Sequence, residues 1–259
     1  SSVIVTGGAS GIGRAVAELT LARGGCAGLI DLDLAKADDL LQAYPGRVAG
    51  LQGSVLDEAF LQRAWDHFAQ VLPSPANGLV NCAGAPPLPL AIEVLDLQEW
   101  HRVLDSHLSG TLVPCKVLGS ALARAGGGSA VVNLASVLAF QPGPVLAKSG
   151  VVSLTASLAV HWAKAGVRVN AVAPGWTDTP FLRPKDRGER DFTPILRATP
   201  QGRLLQPQEI AEVICFLLSP AASAITGTTI PCDGGVIAGS GWPPYGGFDA
   251  AWTAPPARA

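Results

Sequence analysis

Residues 6–13 read Thr6-Gly7-Gly8-Ala9-Ser10-Gly11-Ile12-Gly13. They stand between a short apolar run, Val3-Ile4-Val5, and a stretch of helical period that carries Val16 and Leu19 on one face. Glycines in this position remove the side chains that would keep phosphates away from the backbone. The helix that follows turns its unpaired N–H groups and its positive dipole end toward the same space. A glycine cluster also serves ordinary tight turns, so its surroundings carry the reading. Asp31 ends the next apolar run eighteen residues beyond Gly13, close to the roughly 20 expected for an acid that accepts from an adenosine ribose. The turn is therefore read as a pyrophosphate cradle formed by Gly7, Ser10, Gly11, Ile12 and Gly13. A carboxylate at 31 repels a 2′-phosphate, and neither Ser10 nor Leu32 supplies a basic group to attract one. The expected cofactor is NAD.

Outward from this turn, short apolar runs alternate with longer helical segments. The runs fall at 27–30, 48–52, 79–82, 130–134, 167–172 and 228–231, and the helical stretches at 13–22, 57–71, 97–125, 151–164 and 207–218. Alternation of this kind predicts an α/β fold, a doubly wound parallel sheet of the Rossmann type in three α/β/α layers, as one domain over 1–240. The strands are near-continuous apolar runs, as a sheet covered on both faces requires. Gly166 stands where a helix C-cap is wanted. A charged, proline-containing stretch at 183–203 is expected to form a substrate flap of about 181–206. Residues 241–259 form a tail rich in proline, glycine and aromatics, read either as a disordered end or as a segment docked on a neighbouring subunit.

Composition removes several function classes. Hydrophobic residues make up 48% and charged residues 15% of 259, so the surface has few charges and burial between identical subunits is expected. A net charge of −2 with no long basic run gives no footprint for nucleic acid. Five scattered cysteines, never in C-x-x-C spacing, argue for thiols in a reducing compartment and against zinc or disulfides. His101 and His107 lie six apart and share no helical face, so no metal site is expected. No run reaches membrane-spanning length and no leader pattern opens the chain, so a cytoplasmic protein without membrane contact is expected.

Further motifs follow in order. Asn81-Cys82-Ala83-Gly84 comes after the fourth strand, and Asn133-Leu134-Ala135-Ser136 ends the fifth. Arg168-Val169-Asn170-Ala171-Val172-Ala173-Pro174-Gly175 precedes Thr177 and Thr179, and Asp233-Gly234-Gly235 comes near the end. With the opening turn, these resemble the short-chain dehydrogenase/reductase family from Val3 to about Gly235. The resemblance implies hydride exchange between a nicotinamide and a secondary alcohol or ketone. It assigns Ser136 to orienting the carbonyl and Lys148 to lowering the pKa of an acid/base tyrosine, with Lys148 also among the cofactor-binding residues. Asn81, Ala83, Gly84, Pro174, Gly175, Thr177 and Thr179 are expected to line the cofactor, with Ser54 and Val55 at the adenine. The family also implies a homotetramer or homodimer, paired through the small-residue helix around 148–164 and the long helix before it.

Three departures qualify this picture. The family's acid/base tyrosine belongs four residues before Lys148, where this chain has Pro144, which has no ionisable group. Ser136 and Lys148 are also only twelve residues apart, shorter than the family's spacing; a short tyrosine-bearing stretch between Ala147 and Lys148 would restore both. Two readings stay open: the protein lacks that acid/base, or the natural chain carries residues beyond these. The complete absence of methionine favours the second. His107, in Ser106-His107-Leu108-Ser109-Gly110, replaces the family's relay asparagine and can still hydrogen-bond a water. Ser54 replaces the acid near the adenine.

The substrate wall is expected from 85–90, 138–145, Trp176, Phe181 and Phe192, apolar and proline-rich. An uncharged alcohol or ketone of moderate size fits such a wall. The rival function is a catalytically silent NAD-binding regulator or scaffold, with a lyase or epimerase a weaker third.

Overall fold

The structure, a computed structural model, describes residues 1–87, 92–141, 146–183 and 191–239. Pro144, the charged residues 184–190 and the tail 241–259 lie outside the described residues, as do 88–91 and 142–145 of the expected substrate wall.

Seven parallel strands form one sheet: β1 (Ser2–Thr6), β2 (Cys26–Asp31), β3 (Val48–Gln52), β4 (Gly78–Asn81), β5 (Ala130–Leu134), β6 (Arg168–Pro174) and β7 (Thr229–Cys232). Their order is β3-β2-β1-β4-β5-β6-β7. The chain winds outward from β1 to β3 and then returns to β1's other side with β4. A reversal of this kind opens a crevice at the carboxyl ends of the central strands. The doubly wound, single-domain α/β architecture expected from the sequence is the one observed.

Strand β1 shows why both faces are covered. Val3 and Val5 pack into one core with α1 (Gly11–Ala22) and α9 (Pro207–Leu218), while Ile4 points to the other with α3 (Glu58–Val71). Alternate side chains leave a strand on opposite faces, so a fully apolar strand needs helices on both. On the second face Phe68 presses on Gly28, where an added Cβ would lie 2.8 Å from the ring. Fully burying a side chain of this size contributes roughly 1.5–3 kcal/mol.

The helical stretch 97–125 is continuous but not uniform. It runs as α4 (Leu97–Leu104), a π-turn (Asp105–Ser109), α5 (Gly110–Pro114), a second π-turn (Cys115–Gly119) and α6 (Ser120–Ala125). Pro114 has no N–H and its ring crowds the preceding turn, so a wider turn beside it relieves the helix. The first π-turn carries His107.

Other elements differ from expectation in detail. A 3-10 turn (Leu34–Ala37) and α2 (Asp38–Ala43) occupy the link between β2 and β3, where no helix was expected. Helix α7 (Ala147–Trp162) begins one residue before Lys148 and ends in a turn capped by Gly166 at φ 74°. Within the expected flap lies α8 (Thr193–Ala198), and α10 (Val236–Gly239) follows the last strand.

Candidate active site

A cleft of about 930 Å³ lies over the carboxyl ends of β1, β2, β4, β5 and β6. At one end is the glycine turn. Gly7 adopts φ +65°, a left-handed conformation that favours glycine. A Cβ on Gly13 would lie 2.2 Å from the Gly7 carbonyl oxygen, so no side chain fits where α1 starts. Ser10, Gly11 and Ile12 complete the turn, and all five of these residues line the cleft. Thr179 closes over Gly11 from the loop after β6; an added Cβ there would lie 3.4 Å from its methyl group. The turn is thus a bare-backbone cradle at a helix N-terminus, and it fits a dinucleotide's pyrophosphate.

Asp31 stands at the end of β2 and is held by backbone donors. Its Oδ2 accepts from Ala9 N at 3.0 Å and its Oδ1 from Asp33 N at 3.1 Å. Leu32 beside it is 71% exposed and lines the rim with Ser54 and Val55. Ser54 spends its Oγ on Leu56 N at 3.2 Å. Lys36, which the sequence reading did not single out, also lines this end and pairs with Asp33 at 3.0 Å.

The other end gathers Ser136, Lys148 and His107. Ser136 caps the turn after β5: its Oγ accepts from Leu138 N at 3.2 Å, which leaves its O–H free to donate into the cleft. Lys148, in the first turn of α7, is 7% exposed and its Nζ donates to Leu134 O. Burial lowers its pKa from 10.5 to about 8, and the nearby Cys82 thiol pulls weakly the other way. The same burial raises the Cys82 thiol to about 12, so it stays neutral. His107 is 2% exposed. Its Nε2 lies 2.9 Å from Ala85 O, while Nδ1 has no partner among the described residues. Burial first, and the charge of Lys148 second, bring its pKa down to about 3. The ring is therefore neutral, donating from Nε2 and presenting Nδ1 as an acceptor. Gly84 makes room for it, since a Cβ there would lie 2.7 Å from Nδ1.

Pro174, Gly175, Thr177 and Thr179 line the wall after β6, and Ala83 and Gly84 the wall after β4. Asn81 alone among the expected cofactor-binding and catalytic residues is not on the cleft, and of the described part of the expected substrate wall at 85–90 and 138–145 only Ala85 and Leu138 line it. Asn81 is buried behind the cleft, with Nδ2 donating to Asn133 Oδ1 at 2.9 Å, and Asn133 Nδ2 donates in turn to Thr155 Oγ1 at 3.0 Å. Phe192 is also absent from the wall; the Arg183 guanidinium covers its ring at 4.3 Å. Phe181 does line it, edge-on to His107 with ring centroids 6.0 Å apart. Sequence reasoning missed a polar wall formed by Gln98, His101, Arg102, Asp105 and Ser106. Their spacing places them on consecutive turns of one helix, a pattern present in the sequence but unused. Among the described residues no His, Cys, Asp and Glu cluster could hold a metal, and no helix is long and apolar enough to cross a membrane.

A family model described as enoyl-(acyl carrier protein) reductase matches residues 7–237. The cis-4-hydroxycyclohexanecarboxylate dehydrogenase of Sinomonas cyclohexanicum is 37% identical over 91% of this chain and 96% of its own. The cyclohexanol dehydrogenase of Acinetobacter sp. (strain SE19) is 33% identical over 89% of this chain and 92% of its own. Among solved structures, a 3-ketoacyl-(acyl-carrier-protein) reductase from Brucella melitensis, complexed with NADH, superposes with a TM-score of 0.81 at 29% identity, covering 91% of this chain and 98% of that one. The chain belongs to the short-chain dehydrogenase/reductase family.

Proposed function

We propose that this protein is an NAD-dependent oxidoreductase that moves a hydride between nicotinamide and a secondary alcohol or ketone of largely apolar character. The observation that carries the reading is the single cleft that joins the glycine cradle and Asp31 to Ser136, Lys148 and His107. Relatives named for cyclohexanol and hydroxycyclohexanecarboxylate point to the same substrate class.

In this reading Gly7, Ser10, Gly11, Ile12 and Gly13 hold the pyrophosphate through backbone N–H groups. Asp31 accepts from the ribose hydroxyls, and Leu32, Ser54 and Val55 flank the adenine. Ala83, Gly84, Pro174, Gly175, Thr177 and Thr179 line the cofactor's remaining length, and Asn81 supports the strand ends from behind. When bound, the nicotinamide supplies a hydride acceptor or donor. Ser136 donates to the substrate oxygen, Lys148 binds the nicotinamide ribose, and Nδ1 of His107 accepts from a water that connects the site to solvent. The protein works as a cytoplasmic homotetramer or homodimer; Val160 on α7, 81% exposed, and Leu112 on α5 leave apolar surface for a second copy.

Titration of NADH and NADPH, followed by nicotinamide fluorescence, tests the cofactor. Tight NADH and weak NADPH binding is expected, and binding of neither sinks the reading. Turnover of NAD⁺ with cyclohexanol then separates an enzyme from the second reading, a silent NAD-binding regulator or scaffold. That second reading is favoured by Pro144 at the place of the family's tyrosine.

A further inference from the structure

Helix α4 presents hydrogen-bonding groups to the cleft that the oxidoreductase reading leaves unused. Gln98, His101, Arg102 and Asp105 stand at the three- and four-residue intervals of one helical face, and all four line the cleft beside Ser106. This helix is anchored at the reaction end. Val103 packs in one cluster with Leu138 and Ala147, which lie two residues after Ser136 and one before Lys148. Arg102 Nη2 donates to Pro86 O at 2.9 Å, and the preceding carbonyl, Ala85 O, lies 2.9 Å from His107 Nε2. Guanidinium and imidazole therefore attach to successive peptide units, and the polar wall begins beside His107. Among the described residues the Gln98 and His101 side chains make no hydrogen bond. Arg102 gives Nε and Nη2 to Glu99 and leaves Nη1 without an acceptor there. Asp105 accepts from Ser109 Oγ on Oδ1 and leaves Oδ2 without a donor.

We propose, resting on the oxidoreductase reading, that the substrate is a diol: one carbinol reacts beside Ser136, and a second, uncharged hydroxyl remote from it is held by Gln98, His101, Arg102 and Asp105. Donors and acceptors are mixed on this face, and a hydroxyl, itself both donor and acceptor, uses both. The charges disfavour an anion in its place. Among the described residues Arg102 is matched by Glu99, and Asp105 adds a carboxylate that repels another. The cleft's apolar members, Leu138, Pro180 and Phe181, offer no such partners, and Phe181 stands edge-on to His107. The two kinds of surface together suit a ring that is apolar in its body and hydroxylated at both ends. The wall sets specificity and takes no part in hydride transfer. Its groups are at the solvent-exposed rim, so each hydrogen bond gained on binding replaces one to water and adds a modest preference.

Oxidation of cyclohexane-1,4-diol and of cyclohexanol with NAD⁺ compares a substrate that has the second hydroxyl with one that lacks it. After allowance for its two equivalent carbinols, the diol is expected to have the higher kcat/KM by about 10-fold, the worth of one or two hydrogen bonds. Equal or lower values overturn the proposal. Gln98→Leu combined with Asp105→Ala changes two exposed side chains and is expected to bring the ratio of the two alcohols close to one. A loss of folded protein lowers both rates together and leaves that ratio alone, so an unchanged ratio overturns the proposal. A kcat/KM for 4-hydroxycyclohexanecarboxylate above that of the diol overturns the uncharged second group. If neither alcohol turns over, the oxidoreductase reading falls, and saturation-transfer NMR with NADH present decides the wall by itself. Diol signals that vanish in the double variant support it, and equal signals from diol and cyclohexanol overturn it.

Discussion

The two ends of the cleft are built on opposite electrostatic plans. At the glycine-turn end the Asp31 carboxyl accepts from two backbone N–H groups, so its position is set by the backbone alone. At the reaction end Lys148 is buried with a carbonyl and no counter-charge, and His107 is buried with a nitrogen unused. In the proposed function the first end binds, its donors and acceptors being held in place by the backbone. The other is held in an unfavourable environment, which is where proton chemistry gains from a group poised near neutrality.

The largest effect that would break this contrast is at the cradle. Gly13→Val places a branched Cβ against the Gly7 carbonyl, 2.2 Å from where it must sit, and α1 has to shift. NADH affinity should fall more than about 100-fold, equivalent to the roughly 3 kcal/mol of a severe overpacking; fluorescence titration measures it. Asp31→Asn keeps the size and removes the charge. It should weaken NADH by about 10- to 100-fold, the worth of charge-assisted hydrogen bonds, and narrow the gap to NADPH. Equal loss for both dinucleotides would show that Asp31 does not discriminate.

The reaction end makes a stability prediction instead. Between pH 8 and 10.5 the unfolded chain holds a proton on Lys148 that the folded chain has released, so stability rises with pH across that window. Below pH 8 the penalty is constant. Lys148→Met should therefore be more stable than the parent at pH 7 by on the order of 1–3 kcal/mol, and lose that advantage by pH 10.5. Urea unfolding at the two pH values reads it. His107 works on the acid side: folded it titrates near 3 and unfolded near 6.5, so stability falls as pH drops through that range. The smallest effect on binding is expected of Thr155→Val, which strips the acceptor from Asn133 Nδ2 and costs about 1–3 kcal/mol of stability with cofactor affinity unchanged.

The binding end was legible because its signals are local. A strand, a glycine turn, a helix and an acid at fixed distance follow one another along the chain, and the cleft brings them together as read. The reaction end was legible only in its members. Ser136, Lys148 and His107 could be named, but the neutral state of His107 depends on Ala85, Gly84 and the closeness of Lys148, which no spacing reveals. Asn81 reads as a cofactor contact by motif, yet its amide NH2 donates to Asn133 and Cys115 behind the cleft. The polar wall from Gln98 to Ser106 keeps ordinary helical spacing, but spacing alone does not say whether a polar helix face meets solvent or lines a cleft. Helix α2 was missed for a simpler reason: its six residues carry two aspartates and too few apolar positions to show a period.

One edge of the sheet carries a further consequence. Along β7 the carbonyls of Thr228, just before the strand, and Cys232 accept from Ala171 N on β6 and from Gly175 N just after it, so residues of even number face inward and Pro231 turns its backbone nitrogen to the outside. That nitrogen has no hydrogen to offer. A strand from another molecule approaching this margin meets a missing rung, and the ladder cannot be extended there. In a chain with so few surface charges, a blocked margin protects against fibrous growth.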